Sequence, residues 1–306
     1  FGSSSVAPAS PSHPVPPAMW RGAQPLRRVA VPRRLWAARR QLSSGRTPPP
    51  YLLALDLDET LVRPKIHGVA EHRARSLKSV DFEVSLKVGE GIPCQISLRP
   101  GLAAFFDWMR KRRDEGVLEG PWLFAQGNAV YVEPVMKRLD PSGDLFGDRL
   151  LTKDHCTMPK TPGYVLKNLT SLVQPGDEGG AGVSRVLLID NNAVSAILHP
   201  QNTLLVRDWR GDRPDDAELA RVSSVLDELA AAMREGPEGV VPGDYAGLLA
   251  ARTPGHPIFT QELRGLHALL DSDLKEGEQL KQRLRHAWSI ACRAKEELLG
   301  LGPGEH

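Results

Sequence analysis

Residues 51–64 read Tyr-Leu-Leu-Ala-Leu-Asp-Leu-Asp-Glu-Thr-Leu-Val-Arg-Pro, and this segment gives the strongest indication of the fold class. Five apolar-rich residues run directly into a cluster of acidic groups that begins at Asp56. A short apolar run of this kind is typical of a strand that is buried on both faces of a parallel sheet. We therefore expect a strand that delivers Asp56 and Asp58 to the C-terminal edge of the sheet, where α/β proteins bind ligands.

The rest of the chain alternates between strand-like and helix-like patterns. The strand-like segments are 82–88 and 94–98, which predict a β insertion, and then 122–125, 186–190 and 204–206. The helix-like segments are 100–113, 129–139, 164–172 and 215–233. Strands that alternate with helices predict an α/β fold, in which a parallel sheet is covered by helices on both faces.

Asp56 and Asp58 are candidate functional residues because they place two like charges together at the end of the predicted strand. Such a pair is costly unless a cation or a shared proton offsets the repulsion. Mg²⁺, which binds through few carboxylates and substrate phosphate, suits this arrangement. Read without its context, the same pattern also fits an exposed acidic turn that caps a helix.

Residues 56–62 resemble the first motif of the haloacid-dehalogenase phosphotransferase superfamily. The later segments are similar to one branch of it, which contains the phosphatases of the RNA polymerase II C-terminal domain and the fifty-kilodalton receptor subunit of the mitochondrial presequence translocase. The matching segments are 98–106, 123–135, 139–150, 188–192 and 199–216. The resemblance covers about residues 50–235 and implies a Rossmann-like haloacid-dehalogenase fold with a small β insertion.

The resemblance also assigns roles to individual residues. Asp56 would be the nucleophile that forms an aspartyl-phosphate, and Asp58 the general acid and base. Mg²⁺ would be held by the Asp56 carboxylate, the Asp58 backbone carbonyl and Asp190. The substrate-binding residues would be Thr60, Lys167 and Asn191, with Thr60 orienting Asp58.

Two departures from the family pattern bear on catalysis. Ala125 stands where the family has a Ser or Thr that binds the phosphate. Lys167 lies one residue late relative to the family's lysine, and on a helix one step rotates a side chain by about 100°. Lys160 is therefore a second candidate for the phosphate-binding lysine.

Residues 1–50 form a separate basic segment. They contain eight arginines and no Asp, Glu or Lys, whereas the whole chain has a net charge of +2. This composition is typical of a mitochondrial transit peptide, and it predicts a location in the matrix or on the matrix face of the inner membrane. The alternative is a retained basic arm that binds RNA or an acidic partner.

The predicted domain organisation continues with a phosphatase domain at 51–235, a Gly- and Pro-rich linker at 236–258 and a helical extension at 259–306. Its predicted helices, 259–271 and 274–299, have leucine stripes that we expect to bind other mitochondrial proteins. No run reaches the roughly 18 apolar residues of a membrane span. The three cysteines are too widely separated for a disulfide framework or a Cys-x-x-Cys metal site.

Two functions remain open from the sequence. The first is a Mg²⁺-dependent protein phosphatase of mitochondria, which the acidic residues favour. The second is a non-catalytic structural or receptor subunit of a presequence translocase, mitoribosome or respiratory assembly, which Ala125 and the shifted lysine favour.

Overall fold

The computed structural model describes residues 48–73, 75–160, 164–173, 182–236 and 239–270, and also 289, 292, 293, 295, 296 and 298–300. The basic segment 1–47 and most of the second predicted C-terminal helix lie outside the described residues. Within the described part of the chain, no helix is both long enough and apolar enough to cross a membrane.

Eight strands and five α-helices make up the regular structure of the described residues. The strands are β1 Tyr51–Leu55, β2 Val62–Ile66, β3 Phe82–Leu86, β4 Ile92–Leu98, β5 Leu118–Phe124, β6 Leu150–Leu151, β7 Val186–Asp190 and β8 Thr203–Leu205. The helices are α1 Leu102–Asp114, α2 Ala129–Leu139, α3 Glu218–Glu235, α4 Tyr245–Arg252 and α5 His256–Leu270.

A parallel sheet forms the centre of the molecule. Its strand order is β6-β5-β1-β7-β8, so β1 lies in the middle, flanked by β5 and β7. All five residues of β1 are buried, as expected for a strand covered on both faces. The predicted α/β fold with a parallel central sheet is confirmed.

Alternate side chains of β1 pack into two separate hydrophobic cores. Leu53 and Leu55 pack into a core with α1, α2, α3 and α4, whereas Leu52 and Ala54 pack into a second core with α5. The period of two along a strand produces this division, because successive side chains point to opposite faces of the sheet. Burial on both faces stabilises the strand whose C-terminal end carries Asp56.

The predicted β insertion is a three-stranded antiparallel sheet with the order β2-β4-β3. The sequence predicted β3 and β4 but missed β2, whose Val62–Ile66 pairs with β4 from Leu98 to Cys94. Strand β2 was missed because Pro64 lies at its centre, and a proline, which cannot donate a backbone hydrogen bond to a sheet, argues against a strand. Its pairing connects the acidic loop after β1 directly to the insertion.

The helix predicted at 164–172 is wrong. Leu166 instead exchanges two backbone hydrogen bonds of 2.8 Å with Thr157, and the Lys167 amide donates to the Ser195 carbonyl at 3.0 Å. Because these backbone groups are paired with other segments, they cannot form helical bonds. Only residues Leu169–Leu172 turn into a short 3-10 helix, which the Asn168 side chain caps.

The stretch expected to be a linker contains a helix. Helix α4 begins after Asp244, whose side chain accepts a hydrogen bond from the Gly247 amide, and it buries Tyr245 and Leu249 in the first core. The first predicted C-terminal helix is observed as α5, which buries Leu263 and Leu266 in the second core. These leucines of the predicted partner-binding stripe therefore pack within the chain.

We expect His199 to make the fold sensitive to acid. Its Nε2 lies 3.0 Å from the Asn168 Oδ1, and burial lowers the pKa of His199 to about 4. The native state thus favours the neutral ring. The contribution of His199 to the free energy of unfolding is therefore complete above about pH 6.5 and is lost as the pH falls towards 4. In urea unfolding at neutral pH and at about pH 4.5, the stability advantage of wild type over His199→Gln should shrink at the lower pH. An advantage that is unchanged with pH would contradict this assignment.

Candidate active site

Strands β1 and β7 place two acidic residues side by side at the C-terminal edge of the sheet. Leu55 pairs with Ile189, and the amide of Asp56 donates to the Ile189 carbonyl at 2.9 Å. Asp56 directly follows β1, and Asp190 is the last residue of β7. Both are buried, with Asp190 fully so.

A lysine joins these two carboxylates. The Nζ of Lys167 lies 2.6 Å from the Asp56 Oδ1 and 2.6 Å from the Asp190 Oδ2, so those oxygens are no farther apart than twice that distance. Lys167 is itself fully buried. Burial alone would lower the pKa of Lys167, but Asp190 and Asp56 raise it far above its usual value, so the side chain stays charged.

The extended backbone around Leu166 explains how Lys167 reaches the site. Because residues 164–168 are not helical, the expected rotation of Lys167 onto another helix face does not arise. Lys160 is an exposed residue that lies earlier in the same segment. The structure brings Lys167 rather than Lys160 to Asp56 and Asp190.

Thr60 and Asn191 complete a polar chain beside Asp56. The Thr60 hydroxyl lies 2.9 Å from the Asp56 Oδ2 and 3.3 Å from the Asn191 Oδ1. The Asn191 Nδ2 donates to the Asp208 Oδ1 at 3.0 Å. Thr60 therefore contacts Asp56 rather than Asp58, which was the expected partner.

Asp58 follows two residues later and faces a tyrosine. Its Oδ1 accepts a short hydrogen bond from the Tyr131 hydroxyl, which helix α2 supplies. Burial and, after it, the negative charge of Asp56 raise the pKa of Asp58 to about 7, although the hydrogen bond from Tyr131 acts in the opposite direction. A carboxyl group of this pKa exchanges a proton near neutral pH, as a general acid must.

The turn after Asp58 has an unusual backbone conformation. Glu59 has a φ of 63°, in the left-handed region that side chains other than glycine seldom adopt. Its carboxylate is held by Arg63 and by Arg75, whose Nη2 lies 3.1 Å away. The two arginines thus anchor the strained turn that separates Asp58 from Thr60.

The charges of the site fit a divalent cation. Asp56 and Asp190 share the ammonium group of Lys167, and burial raises the pKa of Asp190 to about 6 even though Lys167 lowers it. Among the described residues, no three His, Cys, Asp or Glu side chains cluster as a complete metal cage. Two carboxylates with a backbone carbonyl and water are the kind of oxygen donor set that Mg²⁺ accepts.

The comparison with known families identifies the domain. Residues 51–235 match the family described as NLI interacting factor-like phosphatase. The chain belongs to this family. Its residues 51–235 are thus a phosphatase domain of the haloacid-dehalogenase type that occurs in phosphatases of the RNA polymerase II C-terminal domain.

Individual relatives are similar over the same region. The human carboxy-terminal domain RNA polymerase II polypeptide A small phosphatase 2 is 30% identical over 182 residues, which are 59% of this chain and 57% of that protein. Phosphatase PSR1 of Saccharomyces cerevisiae is 27% identical over 179 residues, 58% of this chain and 36% of that protein. The chain thus matches about half the length of these relatives or less.

The chain is also similar to a solved structure. It is the structure of Fcp1, described as an essential RNA polymerase II CTD phosphatase. The aligned region covers 67% of this chain and 71% of the Fcp1 chain, with a TM-score of 0.48 and 17% sequence identity. The fold of this chain is defined by its own sheet order and strand register.

Ala125, at the position where the resemblance implies a phosphate-binding Ser or Thr, has a methyl side chain without a hydroxyl. Ala125 follows β5 and is fully buried, and its amide donates to the Leu151 carbonyl at 2.8 Å. The neighbouring Gln126 uses its Nε2 to contact the Ser195 Oγ and the Val165 carbonyl, both at 2.8 Å. Gln126 therefore ties the Lys167 segment to the loop after β7.

Sequence reasoning missed three residues of this site. Tyr131 was noted only as part of a motif, although it bonds Asp58. Asp208 and Lys295, which form an ion pair next to Asn191, were not predicted at all. Asp208 lies within a matching segment but was assigned no role there, and the sequence pattern did not indicate its contact with Lys295, which is more than eighty residues away.

Proposed function

We propose that this chain is a Mg²⁺-dependent protein phosphatase that forms an aspartyl-phosphate on Asp56. The observation that carries the proposal is the contact of the Lys167 ammonium with both Asp56 and Asp190, with Asp58 held nearby by Tyr131. Asp56 as nucleophile, Lys167 as a fixed positive charge and Asp58 as a proton donor of suitable pKa are the roles that this arrangement supports.

Asp56 performs the first step. One of its carboxylate oxygens attacks the phosphorus atom, and the bond from phosphorus to the leaving oxygen breaks. Lys167 and the Thr60 hydroxyl orient the two oxygens of Asp56, at 2.6 and 2.9 Å. The Lys167 ammonium also stabilises negative charge that develops on the transferred group.

Asp58 moves the protons of both steps. In its neutral form it donates a proton to the leaving oxygen, and as a carboxylate it then takes a proton from the water that hydrolyses the aspartyl-phosphate. The Tyr131 hydroxyl fixes the carboxyl group in position. Burial raises the pKa of Tyr131 well above its usual value, and the charge of Asp58 raises it further, so the hydroxyl remains a donor.

The residues that would hold Mg²⁺ are Asp56, the backbone carbonyl of Asp58, and Asp190, with the Asn191 amide oxygen beside them. When bound, the ion supplies positive charge that offsets the repulsion between an anionic phosphate and an anionic carboxylate. Phosphoserine, phosphothreonine and phosphotyrosine in proteins are the proposed substrates. The name of the human relative, a carboxy-terminal domain RNA polymerase II polypeptide A small phosphatase, supports this class.

Hydrolysis of an aryl phosphate by the purified chain, with and without Mg²⁺, tests the proposal. The substitution Ala125→Thr or Ala125→Ser should raise kcat/KM about tenfold, because a restored hydroxyl adds a hydrogen bond to phosphate of about 1.4 kcal/mol. Ala125→Val is the matched control, since valine has the shape of threonine without its hydroxyl. Absence of Mg²⁺-dependent turnover in wild type, Ala125→Ser and Ala125→Thr alike would contradict the proposal.

Ala125 itself favours a second candidate function. A chain without a phosphate-binding hydroxyl at position 125 could retain the fold of a phosphatase without hydrolysing phosphoesters. Such a chain is suited to serve as a structural or receptor subunit. Inactivity of all the variants above, together with stable incorporation into a larger assembly, would support this reading.

The location and the partners of the protein are also proposals. The arginine-rich, acid-free composition of residues 1–50 supports import into mitochondria. Residues 271–288 of the C-terminal extension lie outside the described residues, and contacts with mitochondrial proteins are proposed for the extension. Fluorescence microscopy of the chain with and without residues 1–50 would test the import proposal.

A further inference from the structure

A lysine from the C-terminal extension reaches the edge of the candidate active site. Lys295 lies outside the matched domain of residues 51–235, in a helical segment, and only 6% of it is exposed. Its ammonium group forms a close ion pair with the Asp208 Oδ1. The Asp208 carboxylate is partly buried, with a side-chain exposure of 15%.

Asp208 determines the orientation of the Asn191 amide. A carboxylate only accepts hydrogen bonds, so the Asn191 group that faces Asp208 at 3.0 Å must be the NH₂ donor. The amide oxygen of Asn191 then faces the opposite way, towards the Thr60 hydroxyl at 3.3 Å, which in turn contacts Asp56. A rotated amide would place its NH₂ group where the oxygen donor now lies.

A second cation near Asp208 makes a weaker contact. The Arg210 Nη2 lies 3.7 Å from the Asp208 Oδ2, and the Arg210 side chain is 52% exposed. Solvent screens such a contact, so it holds the carboxylate less firmly than the buried Lys295 does. Arg210 therefore offers a matched control, because it has the same charge and the same partner without the close buried geometry.

We propose that Lys295 is a positioning residue for the Mg²⁺ site. Lys295 holds the Asp208 carboxylate, Asp208 fixes the Asn191 amide, and the Asn191 oxygen thereby points to the edge at which Asp56 lies. The inference rests on the Mg²⁺ site of the proposed function. It assigns to the C-terminal extension a part in completing the site of the phosphatase domain.

The substitution Lys295→Met tests the inference through direct Mg²⁺ binding, measured by isothermal titration calorimetry. Loss of an outer partner of a metal site weakens metal binding by about 10- to 100-fold, and we expect an effect of about tenfold or more. Simple electrostatics predicts the opposite sign, because removal of a positive charge near the site favours binding of a cation. Arg210→Met should therefore leave Mg²⁺ binding unchanged or slightly tighter.

Further variants separate positioning from a loss of structure. Lys295→Arg keeps the charge and should restore most of the Mg²⁺ affinity, and all variants should keep a cooperative thermal transition. Asp208→Asn should weaken Mg²⁺ binding as much as Lys295→Met does, and the double variant should be no weaker, because both changes interrupt one chain of contacts.

Three results would overturn the inference: Mg²⁺ affinity that is unchanged in Lys295→Met, effects of the two substitutions that multiply, or a wild-type chain that does not bind Mg²⁺. Calorimetry requires no turnover. If wild type binds Mg²⁺ but wild type, Ala125→Ser and Ala125→Thr all hydrolyse no phosphoester, the proposed function is contradicted. The ratio of Mg²⁺ affinities between wild type and Lys295→Met would still decide the inference.

Discussion

Replacement of Asp56 by asparagine is expected to lower the turnover of an aryl phosphate by on the order of 10⁴-fold or more, because the amide cannot attack phosphorus. The Asp56 carboxylate directly follows the central strand, and its two oxygens contact Lys167 and Thr60. Asparagine has nearly the same shape and keeps one oxygen for these contacts. Steady-state kinetics at saturating substrate would measure the loss.

A matched control distinguishes this effect from a general change in charge. Asp107→Asn also removes one carboxylate, but the Asp107 side chain is 75% exposed and pairs only with Arg110 on the same helix among the contacts described. Its turnover should equal that of wild type. Turnover by Asp56→Asn within tenfold of wild type would contradict the role of Asp56 as nucleophile.

Replacement of Arg99 by methionine is expected to lower the free energy of unfolding by about 3–5 kcal/mol, the cost of breaking a buried ion pair. Arg99 is 1% exposed and makes paired contacts with the two oxygens of Asp216 at 2.7 and 3.0 Å. It also donates to the carbonyls of Thr60 and Arg207. Its loss would leave buried acceptors in three separate segments without this donor.

Urea unfolding at neutral pH would measure this loss of stability. Arg213 still lies 3.3 Å from Asp216, but its side chain is 38% exposed and cannot replace the buried contacts. Arg210→Met serves as the control, since the Arg210 side chain is 52% exposed and its loss should cost less than about 1 kcal/mol. A loss below about 1 kcal/mol for Arg99→Met would contradict the assigned role.

Most of the fold was predictable because local pattern and tertiary structure agree. The strands at 51–55 and 186–190 are fully apolar up to their acidic ends, and both were predicted with the bounds that the structure shows. The helix predicted at 129–139 is α2, whose N-terminus the Asn128 side chain caps. In these segments, the secondary structure indicated by the sequence periodicity is the one that buries the apolar side chains in the folded protein.

The errors occurred where distant segments supply the backbone partners. Residues 164–168 have the spacing of a helix, but Thr157 and Ser195 provide the hydrogen bonds that keep Leu166 and Lys167 extended. Nothing in the local sequence indicates those partners. The same reason explains why Lys295 was missed, since its contact with Asp208 joins residues that are far apart in the chain.

The sequence was sufficient to predict which acidic residues form the site, but not which side chains contact them. Asp56, Asp58 and Asp190 were predicted because each ends or closely follows an apolar strand, and the structure brings them to one edge. The choice between Lys160 and Lys167 depended on backbone conformation, which the sequence pattern misassigned. The partner of Thr60 likewise depended on a side-chain direction that spacing alone does not determine.

Chemical trapping of the covalent intermediate tests the central claim most directly. The purified chain would be mixed with a phosphorylated substrate and Mg²⁺, quenched in acid within the first turnover, and reduced with borohydride, which converts an aspartyl-phosphate into homoserine. If an aspartyl-phosphate forms on Asp56, mass spectrometry should find homoserine at position 56 in the peptide of residues 47–65 of wild type, and the same peptide of Asp56→Asn should contain none. Substrate turnover with no homoserine at position 56, or with homoserine at another aspartate, would contradict the account.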